Sequence, residues 1–290
     1  MEITTIGLDI AKRVFQAHGA DAAGKAVLRR KLQRVEVLTF FTSLPPCLVG
    51  IEACGTAHHW AREIRALGHE VRLMPASYVK PYVKRGKTDA ADAEAICEAV
   101  TRPSMRFVPV KTAEQQAVLM LHRMRDLLVR QRTMLVNALR GHMAELGIIA
   151  PQGISRVGDL VAALLGEDES KLPKLARYAL CGLASELETL GERVKEVEGA
   201  ILAWHKDNEA SLRLATIPGI GPITASAIVA TVTDPTQFHS PCVRGVAAGI
   251  GLANPGVQDT GIGSLRTTLQ GPRGGASAAT GEFGARCRLT

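Results

Sequence analysis

Two carboxylates stand three residues apart in Lys87-Thr88-Asp89-Ala90-Ala91-Asp92-Ala93, at the head of an alanine-rich run of good helix formers. Positions i and i+3 share one face of a helix, so Asp89 and Asp92 would point the same way and repel each other. A divalent cation held by hard oxygen ligands relieves that repulsion. A purely local reading also exists, in which Thr88 or Asp89 is an N-cap and Asp92 complements the helix dipole. Two further acids shift the balance toward a metal. Asp9, in Ile6-Gly7-Leu8-Asp9-Ile10-Ala11, and Glu52, in Leu48-Val49-Gly50-Ile51-Glu52-Ala53, each sit in or beside an apolar, strand-like run. A carboxylate in a buried strand is costly without a partner.

A second chemistry is binding of phosphate. Between Ser77 and Lys87 the cations Lys80, Lys84, Arg85 and Lys87 are interleaved with Tyr78 and Tyr82. That mixture suits a nucleic-acid backbone with bases stacked on the rings, and equally a solvated loop with structural tyrosines. Its place beside the acidic run favours the first. Farther on, Thr216-Ile217-Pro218-Gly219-Ile220-Gly221-Pro222-Ile223 opens onto a helix of small residues. Gly219 and Gly221 let a phosphate approach backbone N–H groups and the positive end of the next helix, as in helix-hairpin-helix DNA contacts. A tight turn between two packed helices is the competing reading.

These residues need a scaffold, and the strand and helix signals supply one. Ile3 to Phe15 is β-rich, and Lys25 to Leu32 is the next strand of an antiparallel meander. Val35 to Ser43 reads as a short helix, Leu48 to Glu52 as a buried strand, His58 to Leu67 as an amphipathic helix and Glu70 to Pro75 as a strand. His58 and His59 read as ordinary helix-start residues. The pattern describes a mixed α/β sheet of the ribonuclease H type, in which acids from the first strand, a later strand and a later helix converge.

Beyond it lie two long helices. One runs from about Glu114 to Leu146, with apolar residues at Ala117, Leu121, Met124, Leu128, Leu135, Leu139, Met143 and Leu146 and arginines on its other faces. The other, from about Leu183 to Trp204, keeps a four-three repeat at Leu183, Leu187, Leu190, Val194, Val197, Ile201 and Trp204, with glutamates outside. A basic and an acidic helix joined by the polar stretch around Gly166 to Lys171 are expected to pair as an antiparallel coiled coil. Sustained heptads also favour a homo-oligomer, a dimer or larger.

At 290 residues the chain holds two domains, or one with a long helical insertion, and its net charge of +7 with a pI near 9.3 suits a polyanionic partner as well as ordinary solubility. No run approaches the roughly twenty apolar residues that span a bilayer, and Met1-Glu2-Ile3-Thr4-Thr5 lacks a signal-peptide layout. The expected location is the cytoplasm, away from the membrane. Cys47, Cys54, Cys97, Cys181, Cys242 and Cys287 are scattered without metal-site spacing and read as free thiols.

Four ordered motifs together resemble the DEDD-type insertion-sequence transposases (insertion-sequence family 110), relatives of the Piv DNA invertases. They are Gly7-Leu8-Asp9-Ile10-Ala11-Lys12, Gly50-Ile51-Glu52-Ala53-Cys54-Gly55, Lys87-Thr88-Asp89-Ala90-Ala91-Asp92-Ala93 and Ile217-Pro218-Gly219-Ile220-Gly221-Pro222-Ile223-Thr224-Ala225, and the resemblance covers residues 1 to about 240. It implies that Asp9, Glu52, Asp89 and Asp92 are the catalytic acids and metal ligands of a RuvC-like site holding Mg²⁺. It further implies a catalytic serine in a C-terminal domain, and a structured guide RNA that brings donor and target DNA together.

On this basis residues 1–110 form the RuvC-like metal-binding domain and 111–212 the coiled-coil region. Residues 213–240 begin a small, mainly helical C-terminal domain, and 241–290 are a degenerate or disordered tail. The tail departs from the family pattern. It has faint echoes at Ala247 to Leu252 and Gln258 to Gly261, but no Ser-(Ser/Thr)-Gly-Gly-Lys turn and no lysine after Lys206. Eleven of the 28 glycines fall in its 50 residues, which leaves no periodic apolar face and suggests a shifted reading frame. Neither Ser240 nor Ser264 sits in the expected turn, and Thr260 is a poor substitute. The expected function is a metal-dependent DNA transposase or recombinase, inactive in strand exchange here. The alternatives are a RuvC-type structure-specific DNA endonuclease and a non-catalytic nucleic-acid-binding remnant.

Overall fold

The computed structural model describes residues 2–83, 88–149 and 172–234. They fall into two compact units, one of residues up to Val118 with the segment from Val229, the other of Leu119–Ile228.

The first unit is built on a five-stranded mixed sheet. Strands β1 (Thr5–Asp9), β2 (Val14–Ala20) and β3 (Ala26–Gln33) form the antiparallel meander, while β4 (Leu48–Glu52) and β5 (Glu70–Met74) run parallel to β1, in the order β3-β2-β1-β4-β5. The β-rich stretch from Ile3 to Phe15 is therefore two strands of a hairpin, with a turn at Ile10 to Arg13 and a second strand that continues to Ala20. Alternation explains the split. Ile6 and Leu8 point into one core with Phe15, Leu32, Val49, Ile51 and Trp60, and a turn after Asp9 lets Phe15 return to that same face. Helices α1 (Val37–Thr42) and α2 (Ala57–Ala66) cover this side, contributing Val37, Phe41, Ala61 and Ile64. On α2, His58 accepts the backbone N–H of Lys111 at 3.2 Å and Arg62 donates to the Lys111 carbonyl at 2.7 Å. His58 is thus more than a helix-start residue, since it fastens the incoming chain to α2.

The opposite face carries α4 (Asp89–Val100), reached from β5 through the short helix α3 (Ala76–Val79) and a 3-10 turn at Lys80–Tyr82. Met74, Val79, Ile96, Ala99 and Val100 form a second core there, and Tyr82 and Val83 pack on it.

In the second unit the two long helices are α5 (Ala113–Glu145), whose first residues belong to the first unit, and α6 (Lys174–Asp207). They run antiparallel. Leu128 packs with Leu190, Val194, Val197 and Ile201, whereas Val136, Leu139 and Met143, farther along α5, meet Leu172, Leu180, Ala184 and Leu187. Arg125 and Glu198 pair across them at 2.7 Å. The repeat on α6 is buried from Leu187 to Ile201, as its spacing predicts. On α5 the stripe differs from expectation, because Met124 (46% exposed) and Leu146 (37%) lie outside while Val118 and Val136 lie inside. Apolar residues occur on several faces of α5, so spacing alone does not select the buried one; the single stripe of α6 does.

The chain then passes through α7 (Glu209–Ala215), capped by Asn208 accepting the Ser211 N–H at 2.9 Å, to α8 (Pro222–Thr231). Cys47, Cys54 and Cys97 are free thiols; Cys242 and Cys287 lie outside the described residues, as do the linker around Gly166 to Lys171 and the tail. Among the described residues no helix is long and apolar enough to cross a membrane.

Candidate metal centre

The sheet register brings two of the acids side by side. Gly7 pairs with Gly50 and Leu8 with Ile51, so Asp9 and Glu52 follow at the same end of neighbouring parallel strands. Side chains alternate along a strand, which puts Asp9 on the face of Gly7 and Glu52 on the face of Gly50. That is the α4 face. A Cβ on Gly7 would collide with the backbone of Ala93 and Cys97, meeting Cys97 Cα at 2.8 Å, and one on Gly50 would meet Val100 Cβ at 2.8 Å. The two glycines thus form a shallow bed in which α4 lies directly on the strands. The first turn of α4 carries Asp89 and Asp92.

Thr88 caps that turn, its side chain accepting the Ala91 N–H at 3.2 Å. The N-cap is therefore Thr88 and not Asp89, and both aspartates lie in the first turn behind it. Replacing Thr88 with alanine is expected to cost about 1 kcal/mol and to fray the turn that holds Asp89 and Asp92. A thermal melt beside a Thr88→Ser control, which keeps the hydroxyl, checks it.

Asp9 and Glu52 feel the charge of the other acids. The Asp9 carboxyl is pushed up to about 6, first by burial and then by the charges of Asp92, Asp89 and Glu52, against an opposing backbone hydrogen bond from Ile10. Glu52 is also raised, by burial and then by Asp92. Three elements far apart in sequence thus concentrate negative charge at one place. Among the described residues no group of three His, Cys, Asp or Glu side chains is close enough to hold one ion as it stands. Coulomb repulsion reaches well beyond the roughly 2.0–2.1 Å of a Mg–O bond, so the acids influence one another without being grouped to hold one ion. The donor set, all carboxylate oxygen with no thiolate or imidazole, is that of a hard divalent cation.

The glycines that let α4 lie on the strands of Asp9 and Glu52 are not among the residues the sequence singles out. Gly7 and Gly50 have no side chain at the helix–sheet contact. A glycine inside a strand pattern marks a place where another backbone comes close, and that signal was present two residues before each strand acid.

Of the residues expected to contact nucleic acid, Tyr78 is 43% exposed and Lys80 is exposed, while Tyr82 is half-buried on the Met74–Val100 core with Arg102 6.0 Å from its ring. Packing thus occupies part of the Tyr82 ring. Lys84, Arg85 and Lys87 lie outside the described residues. Pro218 and Gly219 form a tight turn closed by the Ile220 N–H donating to the Ile217 carbonyl at 3.0 Å, with Gly219 at φ +91°. A side chain at Gly219 or Gly221 would meet nothing within 4 Å, so the backbone there faces open space. Gly221 precedes α8, its carbonyl accepting the Ala225 N–H at 2.9 Å.

A DEDD transposase family model matches residues 6–148, which include all four acids and the basic segment, and a model for transposases of the IS116/IS110/IS902 family matches residues 211–270. The second match continues past residue 240. A putative transposase of Sinorhizobium fredii is 47% identical over 87% of this chain and 64% of its own length. A probable family 20 transposase of Pseudomonas aeruginosa is 49% identical over 87% of this chain and 74% of its own, and the transposase for insertion sequence element IS1328 of Yersinia enterocolitica 39% identical over 86% and 73%. The chain spans about two thirds to three quarters of the length of these relatives. Matched at both ends by family models and along most of its length by these relatives, the chain belongs to the IS110 family of insertion-sequence transposases.

Proposed function

We propose that this protein acts on DNA as a transposase whose RuvC-like first unit cuts strands at Asp9, Glu52, Asp89 and Asp92 with Mg²⁺. The observation that carries this reading is that Asp9 and Glu52, at the same end of neighbouring parallel strands, are both raised by burial and by the charge of Asp92 on α4, a repulsion that a divalent cation would relieve. Mg²⁺ bound there would polarise a scissile phosphate and neutralise the charge on the leaving oxygen. The acids would hold it, and the buried core of Ile6, Leu8, Val49 and Ile51 keeps their strands in place. Tyr78, Lys80, Tyr82, Lys84, Arg85 and Lys87, together with the Gly219–Gly221 backbone, bind DNA and a structured guide RNA. The paired long helices form a coiled-coil arm for homo-oligomerisation. Strand exchange is not completed, because neither Ser240 nor Ser264 lies in a glycine-lysine turn and Thr260 is β-branched with no Gly-Lys after it.

The experiment is incubation of purified protein with insertion-end and branched DNA, with Mg²⁺ or with chelator. The expected result is metal-dependent nicking without a protein–DNA adduct, lost in Asp92→Asn. Trapping an adduct that disappears when Thr260 or Ser264 becomes alanine would refute the loss of strand exchange. Binding without turnover, unchanged when Asp9 and Asp92 both become asparagine, would refute the catalytic reading.

A further inference from the structure

The strand farthest from α2, β3, is an edge strand with one face that nothing yet described uses. Its register continues the row that starts at the acids: Asp9 pairs with Gln16, and Gln16 with Lys31. Paired residues share a face, so Lys31 lies on the α4 face, level with Asp9 and two strand spacings away, about 10 Å. One step back the row is Gly7, His18 and Arg29, and Arg29 reaches Glu94 on α4 at 3.6 Å, which confirms the side. Helix α4 packs on β1, β2 and β4, and Arg29, Lys31 and Gln33 of β3 are all exposed. At the Asp9 end the β1–β2 turn adds the exposed Lys12 and Arg13, with the Arg13 carbonyl accepting the Arg34 N–H at 2.9 Å just beyond β3. Cations from two segments thus border the carboxylate site on one side.

We propose that Lys12, Arg13, Arg29, Lys31 and Gln33 form a rail for the phosphodiester backbone, along which a nucleic-acid strand crosses β3 and β2 to reach the acids. This rests on the reading of those acids as a strand-cutting site. The chemistry is complementary, since carboxylates alone would repel the strand they must cut, and a flanking row of cations holds it against that repulsion. The distance is on the scale of a short run of nucleotides, since about 10 Å equals roughly three steps of axial rise in a duplex at about 3.4 Å each. Charged edge strands also serve to block unwanted strand pairing, and that role requires no ligand.

Salt dependence separates the two roles. The full chain and a Lys12→Gln, Arg13→Gln, Lys31→Gln triple variant are titrated with duplex DNA and with single-stranded RNA over a range of salt. The slope of log affinity against log salt is expected to become shallower by roughly 2 to 3 on DNA and about 2 on RNA. Loss on only one probe supports the rail and identifies its strand as DNA or RNA. Arg30→Gln is the control, because Arg30 lies over the Phe40 ring at 5.4 Å on the opposite face and should leave the slope unchanged. An unaltered slope in the triple variant, with binding intact in the parent, overturns the rail and leaves the strand-cutting site standing. A change in Arg30→Gln of about a third of that in the triple variant, equal per charge removed, shows a diffuse charge effect and overturns it too. Failure of the parent to bind either probe overturns the proposed function itself.

Discussion

Gly7→Ala is expected to destabilise the first unit by about 3 kcal/mol and to lower its melting temperature by roughly 10 °C, a large effect for one methyl group. The added Cβ would meet backbone on α4, with Cys97 Cα at 2.8 Å, so no side-chain rotation relieves the clash and the helix must lift. Lifting α4 carries Asp89 and Asp92 away from Asp9 and Glu52. Divalent-metal affinity should therefore fall together with stability, although none of the four acids has been changed. Gly55→Ala is the comparison, because a Cβ there meets nothing within 4 Å, and it should stay within about 0.5 kcal/mol of the parent. Calorimetry of the two variants with and without Mg²⁺ decides the matter; equal melting points would mean that α4 does not depend on the glycine bed.

Asp9→Asn is expected to abolish metal-dependent strand cleavage while stabilising the metal-free protein. The loss follows from removing the acid that all three others press upon, and a cation's charge stabilisation of several kcal/mol corresponds to at least about a thousandfold in rate. The gain follows from linkage. Asp9 is raised from its ordinary 3.8 to about 6, so the folded state holds its proton more tightly than the unfolded chain does. The resulting stability is fully present below about pH 4 and is lost as pH rises through about 6. Metal-free protein should thus become more stable between pH 7 and pH 5, on the order of 1 kcal/mol once solvent screening of a partly exposed carboxylate is allowed for. Asp9→Asn should flatten that profile, and Mg²⁺ should flatten it in the parent by favouring the ionised form. Denaturant titrations at pH 5 and 7 measure it; a parent that weakens toward pH 5 without metal would contradict the elevated carboxyl.

What could be read from the chain by itself was whatever depends on local periodicity and residue type. The apolar strand runs, the four-three repeat on α6 and the four acids in their motifs are of that kind. Alternation and helical spacing act over a few residues, so they survive without knowledge of partners. The same locality explains the misses. Whether Met124 or Val136 of α5 faces inward depends on where α6 lies, and the break of Ile3 to Phe15 into a hairpin depends on Phe15 returning to the core of Leu32 and Trp60. Tertiary structure alone decided how closely α4 approaches the sheet. Gly7 and Gly50 are ordinary letters in the sequence, and only the register that aligns them under Ala93, Cys97 and Val100 makes them the bed of the site. Register likewise decided that Lys31, 22 residues from Asp9 along the chain, shares its row, because pairing across β2 converts sequence separation into two strand spacings.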